Sequence, residues 1–547
     1  MTRFSGFLLA LVLGLSARSR AGAAPAMEWL FPAGVARGST VEVTAGGKFD
    51  QWPARFVCNH PAVTIAPLKT KGKLSITVAG DAMPGPCLIR AVDDSGPGNA
   101  RPFLVGHLAE VTAREPDNEP SSALPVALPV VVNGKLEKSG DVDCFTVDLK
   151  AGQTLVASLV ANHLLGSPMD AVLQVVSPAG IVLAQNNDAG SLDPEIVFRA
   201  ESAGPHIVRL FAFPSAPDSS IRFAGGEAYV YRLTLTTGAF VRHAWPLAIG
   251  NGQTSVPVVG WNLGKEATAG KLIAHSPSGQ GLVWSDRWAN WVPVVLVDGE
   301  SKVWRQEQAT PQPLPLCVSA EARGKDSAQV RAMLLKGKQY RLEARSSGLG
   351  LTMFPSIRLV DPAGKVVNTF EPKGLHEDLD ANFQAGMDGQ YLLEIREAHG
   401  ITGDRRVSLV TLGERKPDFT ALLGSETVVA EAGKPAVLTV TVNRTGGLTG
   451  PARFRLEGLP DGIPWKTEPD KDAAKPVKIS LGADNNDWAF SGPVKVFVGV
   501  NDLQEKQAWT GSNYPGLQVM EAWVHVSPAK PKAKEEPKPA KPANQKK

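Results

Sequence analysis

Six oxygen-bearing side chains crowd two short stretches of this 547-residue chain: Glu115, Asp117, Asn118 and Glu119, then Asp141 and Asp143. Carboxylates and an amide carbonyl are hard donors, and calcium gathers about six to eight of them. Two readings fit these residues. They form a cation site, or they are a solvated acidic linker followed by turn aspartates that bond their own backbone. Other local chemistry is missing. The nine histidines are dispersed, with no His-Glu-x-x-His. No Gly-x-Ser-x-Gly elbow, phosphate loop or Cys-x-x-Cys pair occurs. A triad assembled from distant residues would leave no such trace, and nothing favours one. The expectation is a protein that is not an enzyme.

Three smaller groups have competing readings. Trp284, Trp288 and Trp291 either stack on a ligand or fill a core. Asn186, Asn187 and Asp188 form a polar cluster or a plain loop turn. Cys58 and Cys87 lie in neighbouring apolar segments and could form a disulfide in an oxidising compartment. Cys144 and Cys317 are far apart and are expected as buried free thiols.

The elements that must position these residues are strands. Short Val-, Leu- and Ile-rich runs, such as 126–132, 154–160 and 171–176, are bounded by Gly, Pro, Asn or Asp. The 54 glycines and 43 prolines suit tight turns better than long helices. No long 3.6-residue period occurs. The fold class is therefore all-β, a tandem of β-sandwiches, jelly-roll-like and Ig-like. The formal charge of +3 points to no nucleic-acid partner.

The chain also repeats itself. Leu149-Lys150-Ala151-Gly152 matches Leu335-Lys336-Gly337-Lys338, Ser177-Pro178-Ala179-Gly180 matches Asp361-Pro362-Ala363-Gly364, and Gly204 to Leu210 matches Gly389 to Ile395. The offset stays at roughly 185 residues, as a duplicated domain would give. Expected boundaries are a signal peptide at 1–23, an Ig-like domain at 27–107 and the first copy at 108–238. A shorter Ig-like segment at 239–310, the second copy at 311–412 and a closing Ig-like domain at 417–527 follow. The Lys/Pro/Ala tail at 528–547 is too poor in apolar residues to fold. Arg3, the apolar run 7–15 and the small residues after it mark the start as an export signal. The expected place is periplasm, cell surface or extracellular space, with no transmembrane segment in the mature chain.

The first copy resembles the bacterial pre-peptidase C-terminal (PPC) domain. The match rests on Asn133-Gly134-Lys135-Leu136, Gly140 to Phe145, Leu149-Lys150-Ala151-Gly152, Leu165 to Asp170, Asn186-Asn187-Asp188 and Tyr229 to Leu233. The second copy resembles it more weakly. The last segment resembles the Ig-like domains of secreted proteins through Glu457-Gly458-Leu459-Pro460. The resemblance implies a jelly-roll-like sandwich used for adhesion, substrate targeting or spacing. No catalytic domain of the kind it usually follows is visible. It also implies calcium as cofactor, held by Glu115, Asn118, Glu119, Asp141 and Asp143. The sequence alignment sets Ser327 and Gln329 against Asp141 and Asp143, so calcium is expected in the first copy alone. Partners would be an extracellular or cell-envelope protein or polysaccharide. The leading expectation is a binding or structural protein. The alternative is an accessory or targeting subunit of a separately encoded secreted hydrolase, a peptidase.

Overall fold

The computed structural model describes residues 23–528, apart from 217–221, 251, 277–278, 305–309, 322–325, 432, 471–474, 483–487 and 512–516. Most of the expected signal peptide and almost all of the tail therefore lie outside the described residues. The described chain is almost wholly β, in five units. Among the described residues no helix is long and apolar enough to cross a membrane.

The first Ig-like unit stacks two four-stranded sheets over a core that includes Val43, Leu74, Ile76, Ile89 and Phe103. Each copy of the repeat is a two-sheet sandwich. The first copy has five strands in each sheet. Its strand Asp143–Leu149 shows why: Phe145, Val147 and Leu149 point into the core while Asp148 meets solvent. Burying one such side chain contributes about 1.5–3 kcal/mol. The shorter Ig-like segment is one curled path of six strands around Trp288, Val256, Val283 and Val294, with strand Phe240–Ala244 packed against strand Val292–Val297. The last unit is again a two-sheet sandwich.

The duplication is visible in hydrogen bonds. Ser177 N–H donates to the Ile181 carbonyl, and Asp361 N–H donates to that of Lys365, both at 2.8 Å. The hairpin glycines Gly180 and Gly364 adopt φ of 80° and 81°, which a side chain would strain. Strand register corrects the sequence alignment by one residue. Leu149 faces Gly204 where Leu334, not Leu335, faces Gly389. The left-handed turn residue after it is Gly152 in one copy and Gly337 in the other. The doubled Leu334-Leu335 and the lysine-rich turn hid the slip. Asp143 therefore corresponds to Ala328 rather than Gln329, and Asp141 to Asp326 rather than Ser327. The second copy also begins before residue 311. Strand Lys302–Trp304 pairs in parallel with Leu316–Glu321, as Glu110–Thr112 pairs with Val130–Lys135.

The units do not run out in a line. The last Ig-like unit packs against the first through Leu88, Ala100, Leu517 and Val519. Arg90 pairs with Glu426 across this contact, and Arg55 donates to the Ser491 carbonyl at 3.1 Å. The first unit also meets the first copy and the shorter Ig-like segment where Ala33, Leu104, Leu165 and Trp291 converge.

Candidate metal centre

Backbone pairing fastens the acidic linker onto the first copy. Ala113 N–H donates to the Asn133 carbonyl at 2.9 Å, and Cys144 N–H donates to that of Asp117 at 3.0 Å. Leu124–Pro125 then pairs in parallel with Phe145 and Thr146. The linker is thus laid along strand Asp143–Leu149. This brings carboxylate oxygens of Glu115, Asp117 and Asp143 within 4.8 Å of one another. Glu115 lies exposed at the rim, whereas Asp117 and Asp143 are each only 1% exposed.

Tyr231 fixes the floor. Its hydroxyl donates to one oxygen of Asp143. Gly134 makes room for it, since a Cβ there would fall 2.1 Å from the Tyr231 hydroxyl oxygen. The other Asp143 oxygen and both Asp117 oxygens are buried without a hydrogen-bond partner. Asp141 is also buried, and its Oδ2 accepts the Glu137 N–H at 2.5 Å. The Asn118 amide lies between the Val142 carbonyl, 2.8 Å away, and an Asp141 oxygen, 3.1 Å away; with its NH2 turned to them it donates to both.

The crowding shows in the acidities. Burial, then Glu115 and Asp141, push Asp117 up to about 7. Burial pushes Asp143 well above the carboxylate range, Tyr231 opposes this, and Asp117, Asp141 and Glu115 add to it. Glu115 is raised by burial and by Asp141. Charges this close and this dry need a cation or a proton. The donors are hard oxygens, which suit calcium, and the orphaned oxygens of Asp117 and Asp143 are the best evidence of fit.

Sequence and site agree in part. The structure joins Glu115 and Asp143, with Asn118 and Asp141 alongside. It adds Asp117, which the family resemblance leaves out, and Tyr231, which the resemblance contains without a ligand role. Glu119 is not in the three-carboxylate group. Its carbonyl accepts the Ser122 N–H at 2.9 Å in the short turn Pro120–Ser122.

Trp288 is core, and its indole N–H donates to the Ala267 carbonyl at 2.8 Å. Trp284 meets His107 and Arg37 of the first unit. Asn186 turns its own loop by accepting the Glu195 N–H at 3.0 Å. A neighbouring residue escaped the sequence reading. Asp193 accepts the N–H groups of Ala161, Asn162 and His163 at 2.7–3.3 Å. Asp378 does the same for Ser346 and Gly348 in the second copy. The signal was an aspartate repeated at the domain offset. All four cysteines are free thiols, with Cys87, Cys144 and Cys317 buried. Burial pushes the Cys144 thiol up to about 12.

No protein-family model and no curated protein matches the chain. Among solved structures, it is similar to the pre-peptidase C-terminal domain of a Bacillus anthracis collagenase, at 14% identity over 22% of this chain and 99% of that one, with a TM-score of 0.17. It is similar to the SGBP-B protein of the Bacteroides ovatus mixed-linkage glucan utilization locus, at 10% identity over 70% and 73% of the two chains, with a TM-score of 0.13. It is also similar to the S-layer protein rSbsC(31-844), at 9% identity over 92% of this chain and 54% of that one, with a TM-score of 0.15. Likeness at this level stops short of ligand and activity.

Proposed function

We propose that this is an exported, non-enzymatic binding or structural protein whose first repeat copy takes up calcium. The ion would sit against Asp117, Asp143 and Glu115, with Asn118 and Asp141 at the border. The carrying observation is the set of three buried carboxylate oxygens that lack partners. Bound there, a divalent cation neutralises the crowded charges. It also ties the linker to the strand behind it, so the first copy keeps a fixed pose beside the first Ig-like unit. The packing of the last unit on the first favours a compact adhesive body over an extended spacer. Its partner would be a cell-envelope or extracellular protein or polysaccharide.

Calorimetric titration of the full chain with calcium tests this reading. One site is expected, lost in Asp143→Ala and in Asp117→Asn. Absence of binding by the unaltered chain at millimolar calcium would overturn it.

A further inference from the structure

A pair of neighbouring thiols lies in the first Ig-like unit. Cys58 ends strand Arg55–Cys58 and is half-buried, while Cys87 is 1% exposed within strand Gly85–Asp93. Cys58 faces Ile89 in the ladder, which makes Cys87 its diagonal neighbour on the same face. The Cys87 S–H donates to the Phe103 carbonyl at 3.1 Å, and the two thiols perturb one another, with the pKa of Cys58 lowered and that of Cys87 raised. The His60 N–H points to Cys58 Sγ at 3.4 Å. Cys58 therefore sits among donors, which favour a thiolate.

We propose that Cys58 and Cys87 form a reversible thiol–disulfide exchange site, with Cys58 the attacking thiol and Cys87 the resolving one. The co-reactant is a small disulfide of the glutathione type. The Cys58 thiolate attacks one sulfur of that disulfide, and a mixed disulfide forms as the first small thiolate leaves. Cys87 then loses its proton to water and attacks Cys58 Sγ, and the second small thiolate leaves. One disulfide is broken and one is made, and the protons of the two protein thiols end on the two released thiols.

Three observations support this assignment. The accessibilities differ in the required sense, with the attacking residue Cys58 partly exposed and the resolving Cys87 covered. The Cys87 contact lowers the Cys58 thiol and burial opposes it, whereas burial raises Cys317 and Cys144. The pair also stands at an edge that can report its state. His60 lines a shallow groove with Met83, Pro84, Ile273 and Leu282, between the first Ig-like unit and the next. Diagonal neighbours in a ladder stand roughly 7–8 Å apart at Cα, a little beyond the usual reach of a disulfide. At that spacing, closing the bond would draw the end of the Cys58 strand toward Cys87 and move His60 with it. A bond made under that pull is easily reduced again.

The test uses the full chain, fully reduced and then incubated with oxidised glutathione. Thiol counting in denaturant should fall from four to two, with one Cys58–Cys87 linked peptide by mass and full recovery on adding reduced glutathione. Cys87→Ser should stop at a stable glutathione adduct on Cys58, and Cys58→Ser should take up none. Should Cys87→Ser fail to fold, brief alkylation of the unaltered native chain with iodoacetamide decides instead, and Cys58 should be labelled first. Four thiols surviving glutathione, or Cys144 or Cys317 alkylated as fast as Cys58, would overturn the assignment.

Discussion

The two copies of the repeat share a backbone plan and differ where it matters for chemistry. Asp143 and Tyr231 of the first copy correspond to Ala328 and Ser408 of the second. The buried acid with its phenol donor has become a methyl group and a hydroxyl. The outer face of the neighbouring sheet changes in the same direction. In the first copy Arg232 is bound by Glu110 at 2.8 and 3.0 Å and by Asn133 at 2.7 Å. In the second copy Leu409 and Ser319 hold those positions, and Leu409 packs with Leu247, Leu349 and Val407. One fold thus supports a version with a cluster of buried carboxylates and a more apolar one. Both versions keep the same strand pairing, although the exchanged positions are buried in each copy.

The largest expected break of this comparison is at Glu110. Glu110→Ala leaves Arg232 buried and short of its counter-charge, which costs about 3–5 kcal/mol. Leu409→Ala at the matching place loses only packing, about 2–4 kcal/mol. Amide hydrogen exchange along Val130–Lys135 and Leu316–Glu321 reads each loss in its own copy. Equal protection in Glu110→Ala and the unaltered chain would show that the ion pair contributes little.

Calcium comes next. At a hundredfold excess over its dissociation constant the ion should stabilise the chain by about 2.7 kcal/mol. Asp143→Ala should abolish the calcium-dependent rise in melting temperature. Asp326→Ala in the second copy should keep it. A rise that survives Asp143→Ala would place the ion elsewhere.

A smaller effect separates the loop aspartates. Asp193→Ala strands three N–H groups and Asp378→Ala strands two, so losses of about 2 and about 1 kcal/mol are expected in denaturant unfolding. Asp193 also carries a pH signature. Burial raises its pKa from near 4 to about 6 against the pull of its three N–H donors. The native state therefore holds an extra proton within that window, and this contribution to stability is present below pH 4 and lost as pH rises through 6. Asp193→Asn should flatten the slope between those limits. The smallest change is at the contact between the copies, where Arg405 meets Glu195 at 2.8 Å. Arg405→Ala should cost about 0.5–1 kcal/mol.

Much of this was legible in the residues. Alternation in 154–160 and the Pro-Ala-Gly turns gave the strands and the repeat, since period and turn chemistry are local. The acidic crowd at 115–119 and 141–143 marked the candidate site for the same reason. Its membership was not legible. Asp117 joins because its carbonyl takes the Cys144 N–H and turns its side chain inward, and Glu119 is drawn into a turn instead. Those outcomes depend on a pairing between linker and strand that no local pattern encodes. The one-residue slip in the alignment had the same origin, for only the ladder distinguishes Leu334 from Leu335. Asp193 was missed because a single aspartate before a proline resembles any loop residue.

The contact between the outermost units has a mechanical consequence. The first described strand starts at Ala26, the last ends at Ser527, and both belong to domains that touch. Tension applied between those two points would not stretch five sandwiches in series. It would load the Arg90–Glu426 pair and the Leu88–Val519 patch first, and the four linkers would remain slack until that contact parted. Under such a load the junction would part first, and the length held in reserve behind it would be the rest of the molecule.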